Sequence, residues 1–408
     1  MGSRLVVIGL TLLLAVLVVG GCSADGLLLA KDQPQMPSVA PRTSRPVAAA
    51  DPQPIVLPRD DAPHRRLTEW WYYTGHLRTA DQRRFGFEFV IFRVERGEFP
   101  VTWASHLALT DESGGTFRFS EQSEIGEQVD QDAGTADDQR VGFDLAVEGG
   151  DSFQAPDVGG RLGPADQTAA RSTMAATAWR MTGGGGRDRL DAVTHGFGLR
   201  LDLDAGARPT ALHDRDGYID FGVGGGSYYY SRTRMAATGT VILDGVPAAV
   251  EGQAWFDHQW GDFIQVGAGG WDWFAINLDD GTDVTISLVR DAAGAYPLVY
   301  GTLVRADGRV EHLEREQFRV SVTKDWTSPA TGAVYPAGWQ VSLPGEGLEI
   351  GLQPTVPAQE LDTRATTGVV YWEGSQVVSA SRDGRALGGE AYVELTGYGP
   401  GLELARSP

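Results

Sequence analysis

Cysteine is nearly absent from this chain: Cys22 is the single one in 408 residues. That excludes an intramolecular disulfide, a thiolate metal cluster and dithiol redox chemistry together. Histidine is scarce as well. Its seven copies show no HExxH or other paired ligand spacing, so no metal site is expected. Basic charge is in short supply, with 34 Lys and Arg against 54 Asp and Glu for a formal net charge of −20. Such a balance argues against nucleic acid as a partner and against a basic patch for anionic lipid. No Gly-x-Ser-x-Gly elbow precedes a helix, which removes an α/β-hydrolase reading. The run Gly183–Gly186 lacks the Lys-Ser/Thr of a phosphate loop and reads as a hairpin turn. No motif calls for a cofactor.

What is present begins at the N-terminus. Arg4 precedes an apolar run from Leu5 to Val19 that ends in Gly20-Gly21-Cys22. A basic start, a short apolar core and small residues at the cleavage point form a secretory signal peptide, expected over residues 1–21. The run is too short for a spanning helix. The small pair before Cys22 matches the lipobox of bacterial lipoproteins, so Cys22 is expected to carry lipid and hold the chain on a membrane. The expected location is periplasm-facing, and Ser23 after the cysteine favours the outer membrane over the inner. Residues 22–57, rich in Pro, Ala, Ser and Asp, read as a tether.

The remainder has the periodicity of strands. Phe85, Phe87, Phe89 and Ile91 share one face of a two-residue alternation, as do Phe197, Leu199, Leu201 and Leu203. Asp216-Gly217, Asp244-Gly245, Asp280-Gly281, Asp307-Gly308 and Asp383-Gly384 mark hairpin turns. The one helix candidate is the Ala-rich stretch 168–178, and the acid-rich segment 121–138 reads as a solvated loop. An all-β protein of barrels or sandwiches follows. The Gly-rich stretch after Trp260 suggests two domains, 58–264 and 265–408.

Eight segments carry a more specific signal: EWWYYTGHL (69–77), FGFEFVIFR (85–93), ASHLALTD (104–111), SYYYSRTRM (227–235), GQAWFDHQWGDF (252–263), GWDWFAINLDDG (270–281), YWEG (371–374) and YVELTGYG (392–399). In this order they resemble the carotenoid 1,2-hydratase/AttH-like family. The resemblance implies two lipocalin-like antiparallel β-barrels packed side by side. Members of that family include exported lipoproteins called hydrolases, some encoded beside an ABC-type permease, and enzymes that hydrate terminal double bonds of carotenoids. The hydratases' proposed proton donor maps to Asp257. Their upstream His-x-Trp pair has no counterpart here, where Tyr228-Tyr229-Tyr230 occupies the comparable region.

Hydrating an unactivated double bond needs a strong proton donor in an apolar pocket, and a desolvated carboxylic acid with aromatic neighbours meets that need. On an extended strand Trp255, Asp257 and Gln259 share one face, and Phe256, His258 and Trp260 the other. Asp257 is expected either in the pocket or as a structural carboxylate accepting backbone N–H bonds at a strand end. His258 is its catalytic partner only if a bulge intervenes, and otherwise a core or interface residue. Trp255, Trp260, Tyr228, Tyr230, Glu69 and Trp71 are the candidate ligand-binding residues. Glu69 is either a second pocket acid or the partner of an arginine such as Arg93 or Arg232. Tyr228 and Tyr230 are expected to line one cavity, with Tyr229 pointing away. The function read first is binding of a hydrophobic small molecule or lipid, handed to or from an ABC-type permease. The alternative is an acid-catalysed hydratase, isomerase or cyclase, a hydro-lyase rather than a hydrolase.

Overall fold

A computed structural model describes residues 51–135, 140–149, 153–154, 178–263 and 269–399. The signal peptide, Cys22, most of the tether and the helix candidate 168–177 lie outside them. Among the described residues the regular structure is strand, interrupted by short 3₁₀ turns. No helix there is long and apolar enough to cross a membrane.

Two antiparallel sheets carry the fold. The first draws its strands from Thr68 to Gly261 and curls into a nearly closed barrel. Across that sheet, Arg187–Val193, Phe197–Asp204, Gly226–Leu243, Val246–Gly261, Thr68–Arg78, Arg84–Val94, Thr102–Asp111 and Thr116–Ile125 are successive neighbours. The second runs from Gly270 to Leu395 as a half-barrel. In it Leu298–Val304, Asp283–Arg290, Gly270–Leu278, Gly389–Leu395 and Val369–Arg382 are neighbours in that order.

Alternation decides what each sheet buries. Phe85, Phe87, Phe89, Ile91, Phe197, Leu199, Leu201 and Leu203 all enter the core of the first barrel, with Trp71 and Trp179. The opposite face of Thr68–Arg78 and Arg84–Val94 carries Tyr72 and Val90, which pack on Trp273, Ala275 and Tyr392 of the second sheet. Both faces of these two strands are thus buried, whereas Phe197–Asp204 exposes its other face. At the tips, Asp244-Gly245 and Asp383-Gly384 have positive φ at both positions. That is the conformation a two-residue hairpin requires and glycine tolerates.

The joint between the sheets is polar as well as aromatic. Asp283 is fully buried and accepts from Thr233 and Asn277, and from Arg234 at 2.7 Å; Arg208 completes its shell. His76 reaches the Ala391 carbonyl at 3.1 Å, and Thr110 donates to Gln359 at 2.6 Å. The backbones come close enough at Gly86 that an added Cβ would lie 2.8 Å from Ser375 Cβ.

Two readings of polar segments need correction. Thr116–Ile125 is a strand, and Glu121 within the acid-rich segment is buried there against Thr366 rather than solvated. Residues 51–57, counted with the tether by composition, lie on the barrel: Asp51 pairs with Arg66 at 2.6 Å, and Ile55 packs on the first core.

Candidate functional site

The two sheets enclose one largely aromatic pocket of about 800 Å³, counting its open mouth. Trp70, Phe92, Phe221, Phe263, Trp271 and Trp273 supply its walls, and Asp257, Glu88 and Glu394 supply its acids. The fully enclosed part is about 100 Å³, and the rest opens to solvent; the aromatic lining suits an apolar molecule.

Asp257 comes from the Val246–Gly261 strand, whose partner strands set its surroundings. Ser231 lies opposite Asp257 and Tyr229 opposite Gln259, so all four share a face. Asp257 is only 3% exposed. It accepts hydrogen bonds from Tyr229 Oη at 2.5 Å, from Trp255 Nε1 at 2.7 Å and from Ser231 Oγ. Tyr229 Oη in turn accepts from Trp273 Nε1 at 3.0 Å. Burial pushes Asp257 up to about 7, against these three donors, which favour the carboxylate. Among the described residues, none of its hydrogen-bond partners is cationic.

Three further acids cluster nearby. Glu394 receives Trp271 Nε1 at 3.0 Å, and burial pushes it up to about 7. Glu373 is the cross-strand neighbour of Glu394 and receives Tyr72 Oη at 2.7 Å. Glu88 receives Tyr371 Oη at 2.8 Å. Burial raises both Glu88 and Glu373, and the neighbouring carboxylates raise them further. The second oxygen of each has no hydrogen-bond partner among the described residues. The sequence pattern did not single out these three. Glu88 and Glu373 each stand as the lone acid of an apolar or aromatic strand segment, and Glu394 follows Tyr392 and Val393 in a third, which was the available signal.

The remaining expected site residues divide by strand face. Asp257 and Trp255 face the second sheet. His258, Trp260, Tyr228, Tyr230, Glu69 and Trp71 do not line this pocket; they face the interior or end of the first barrel. The tyrosine expectation is thereby reversed, since Tyr229 points at the pocket and Tyr228 and Tyr230 away from it. Register decides this, because Tyr230 pairs with His258 and Tyr229 with Gln259. Tyr228 stacks on Trp260 and donates to Asp51 at 2.7 Å. Tyr230 donates to Asp61, and Trp71 Nε1 donates to the Asp61 carbonyl at 3.1 Å. His258 is therefore not within the reach of Asp257 that a catalytic dyad needs.

Glu69 pairs with neither Arg93 nor Arg232. Its partners are His64 Nδ1 at 2.8 Å and His258 Nε2 at 2.9 Å. The two imidazoles hold Glu69 down to about 2 although burial opposes them. These three residues have the donor set of a metal site, with ligand atoms within 4.8 Å of one another. They could hold a divalent cation. Both imidazoles bond the same Glu69 oxygen, however, so protons already close the cluster.

Comparison with known proteins agrees with this architecture. The AttH-like family model matches residues 48–398. A crystal structure of a Nitrosomonas europaea protein described as an AttH is similar, with a TM-score of 0.66 and 28% identity. That match covers 85% of this chain and 98% of the other. Kievitone hydratase from Nectria haematococca gives a TM-score of 0.60 at 12% identity over 84% of this chain and 93% of its own, a likeness of fold. No curated protein sequence matches the chain.

Proposed function

This chain belongs to the AttH-like family, and from its pocket we propose an acid catalyst acting on an apolar, unsaturated ligand, with Asp257 as the proton donor. The observation that carries this reading is a buried carboxyl, raised to about 7 without a cationic partner, on the wall of an aromatic pocket. Family and fold do not determine chemistry, so the reading rests on the site.

The chemistry follows from the donor and the walls. Asp257 in its neutral form gives its proton to one carbon of a double bond, and the other carbon becomes cationic. The faces of Trp70, Trp271 and Trp273 can stabilise that cation. Water then adds and loses a proton, giving hydration; loss of a neighbouring C–H proton gives isomerisation instead. A positioned general acid typically contributes about 10²–10⁴-fold to such a step. The product class is that of a hydro-lyase or isomerase rather than a hydrolase.

A carrier of hydrophobic ligands would use the same walls but has no use for an acid that holds its proton up to about pH 7. That difference favours catalysis over carriage. The Cys22 motif adds a location: export, lipidation and a membrane-tethered position from which ligand could pass to or from a permease. Replacing Cys22 with Ala should release the protein from the membrane fraction, and unchanged sedimentation would remove this part.

The catalytic reading is tested by native mass spectrometry after incubation with lipid extracts, comparing wild type with Asp257→Asn. Retained ligand with lost product is the expected result. Ligand without product from either protein would leave a carrier.

A further inference from the structure

The pocket acid has a second connection, on the side away from the ligand. Ser231, whose Oγ bonds Asp257, also lies 2.6 Å from His213 Nε2. His213 Nδ1 lies 2.8 Å from Thr302 Oγ1, on a strand of the second sheet. The four groups form an unbroken chain through the joint. Asp257, Ser231, His213 and Thr302 are 3%, 0%, 0% and 2% exposed. His213 also rests on the Tyr229 ring at 3.9 Å. Thr302 lies opposite His312 in the register, on the same face. The His312 nitrogens are 3.6 Å from Asp214 and 3.5 Å from Glu314, whose side chains are 37% and 54% exposed.

Every link in this chain can both donate and accept. With Asp257 ionised, Thr302 donates to His213 Nδ1, His213 Nε2–H donates to Ser231, and Ser231 donates to Asp257. With Asp257 protonated, the polarity reverses: Asp257 donates to Ser231, Ser231 to His213 Nε2, and His213 Nδ1–H to Thr302. Passing from the first arrangement to the second, Thr302 Oγ1 gives a proton to His213 Nδ1 while taking one from the His312 side, His213 Nε2 gives one to Ser231, and Ser231 gives one to Asp257 Oδ1, so the count balances. Rotation of the new O–H about the Cγ–Oδ1 bond turns it from Ser231 toward the ligand. Burial holds His213 to about 3, which keeps it neutral and free to exchange tautomers.

We infer that Ser231, His213 and Thr302 form a proton relay that reloads Asp257 from the His312 edge while ligand fills the pocket. The inference rests on the donor role proposed for Asp257. A bound apolar molecule shuts off water on the pocket side. The proton lost when water captures the cation leaves on the far side of the ligand. The acid must then be recharged from behind, and this chain ends directly on its carboxyl. His213 is a positioning and relay residue that does not touch the ligand.

The test is infrared H/D exchange of the Asp257 carboxyl at about pH 5, with Nile red filling the pocket. The carboxyl band is assigned by its loss in Asp257→Asn. Wild type should exchange with the pocket filled. His213→Phe keeps the stack on Tyr229 and should exchange at least tenfold more slowly. Thr302→Val should also slow exchange, and Thr302→Ser should leave it unchanged. Wild-type exchange rates in a His213→Phe variant with native near-UV circular dichroism would overturn the relay, as would arrest of wild-type exchange by Nile red. Absence of an Asp257-dependent band, or of Nile red binding, would overturn the donor reading itself and the relay with it.

Discussion

Asp257 should make the protein less stable as pH rises from about 4 to about 7, and Asp257→Asn should abolish that loss. Burial takes the carboxyl from its ordinary 3.8 to about 7 in the folded chain. Between those values the folded state holds a proton that the unfolded state has released. Stability therefore falls with rising pH across that window, by ~1.36 kcal/mol for each pH step of one between the two values, or about 4 kcal/mol in all. Asparagine matches the neutral acid in shape and cannot ionise, so its stability lacks this slope. Guanidinium unfolding followed by tryptophan fluorescence, at steps from about pH 4 to about pH 8, measures both proteins. The raised Glu88, Glu394 and Asp272 impose the same sign of slope on each, and the difference reports Asp257 together with its smaller charge coupling to Glu394. The variant should gain about 4 kcal/mol relative to wild type between the ends of the range. A difference independent of pH would refute the reasoning, because Asp257 would then titrate alike folded and unfolded.

Other consequences are equally open to measurement. Tyr229→Phe removes a donor to Asp257 and should raise its pKa further, whereas Tyr230→Phe, in the first barrel, should not; infrared titration of the carboxyl reads both. Glu69→Gln leaves His64 and His258 without their carboxylate and should cost about 3–5 kcal/mol by denaturant unfolding, as broken buried pairs do. A loss under about 1 kcal/mol would mean the cluster is held by something else. Gly86→Val drives a side chain against Ser375 at the joint and should cost about 1–3 kcal/mol or more. An unchanged unfolding midpoint would place the sheets farther apart.

The fold was legible because alternation is a local property. FGFEFVIF announces which residues share a face, and the Asp-Gly pairs announce where the chain reverses. Alternation predicted half-buried strands; the burial of both faces of Thr68–Arg78 and Arg84–Val94 comes from the second sheet, which no local pattern announces. The site was only half legible. That Asp257 and His258 point opposite ways follows from the pleat alone, but which tyrosine accompanies Asp257 depends on pairing. Tyr229 and Ser231 join it through the register of two long strands, which no local pattern fixes. Glu69 meets His258 across 189 positions of sequence and His64 across five. Arginine was the expected partner because acids more often pair with it. The relay joins residues 213, 231, 257 and 302, and only the contact between the two sheets brings Thr302 to His213.

The central claim is that Asp257 hands a proton to carbon. Incubation in D₂O with lipid extracts of the source cells, followed by high-resolution mass spectrometry, reads that event directly. Wild type should yield a product carrying one new carbon-bound deuterium, retained after back-exchange into H₂O. Asp257→Asn should bind the same precursor and yield none. Equal deuteration by both proteins, or a product with no deuterium on carbon, would contradict the account.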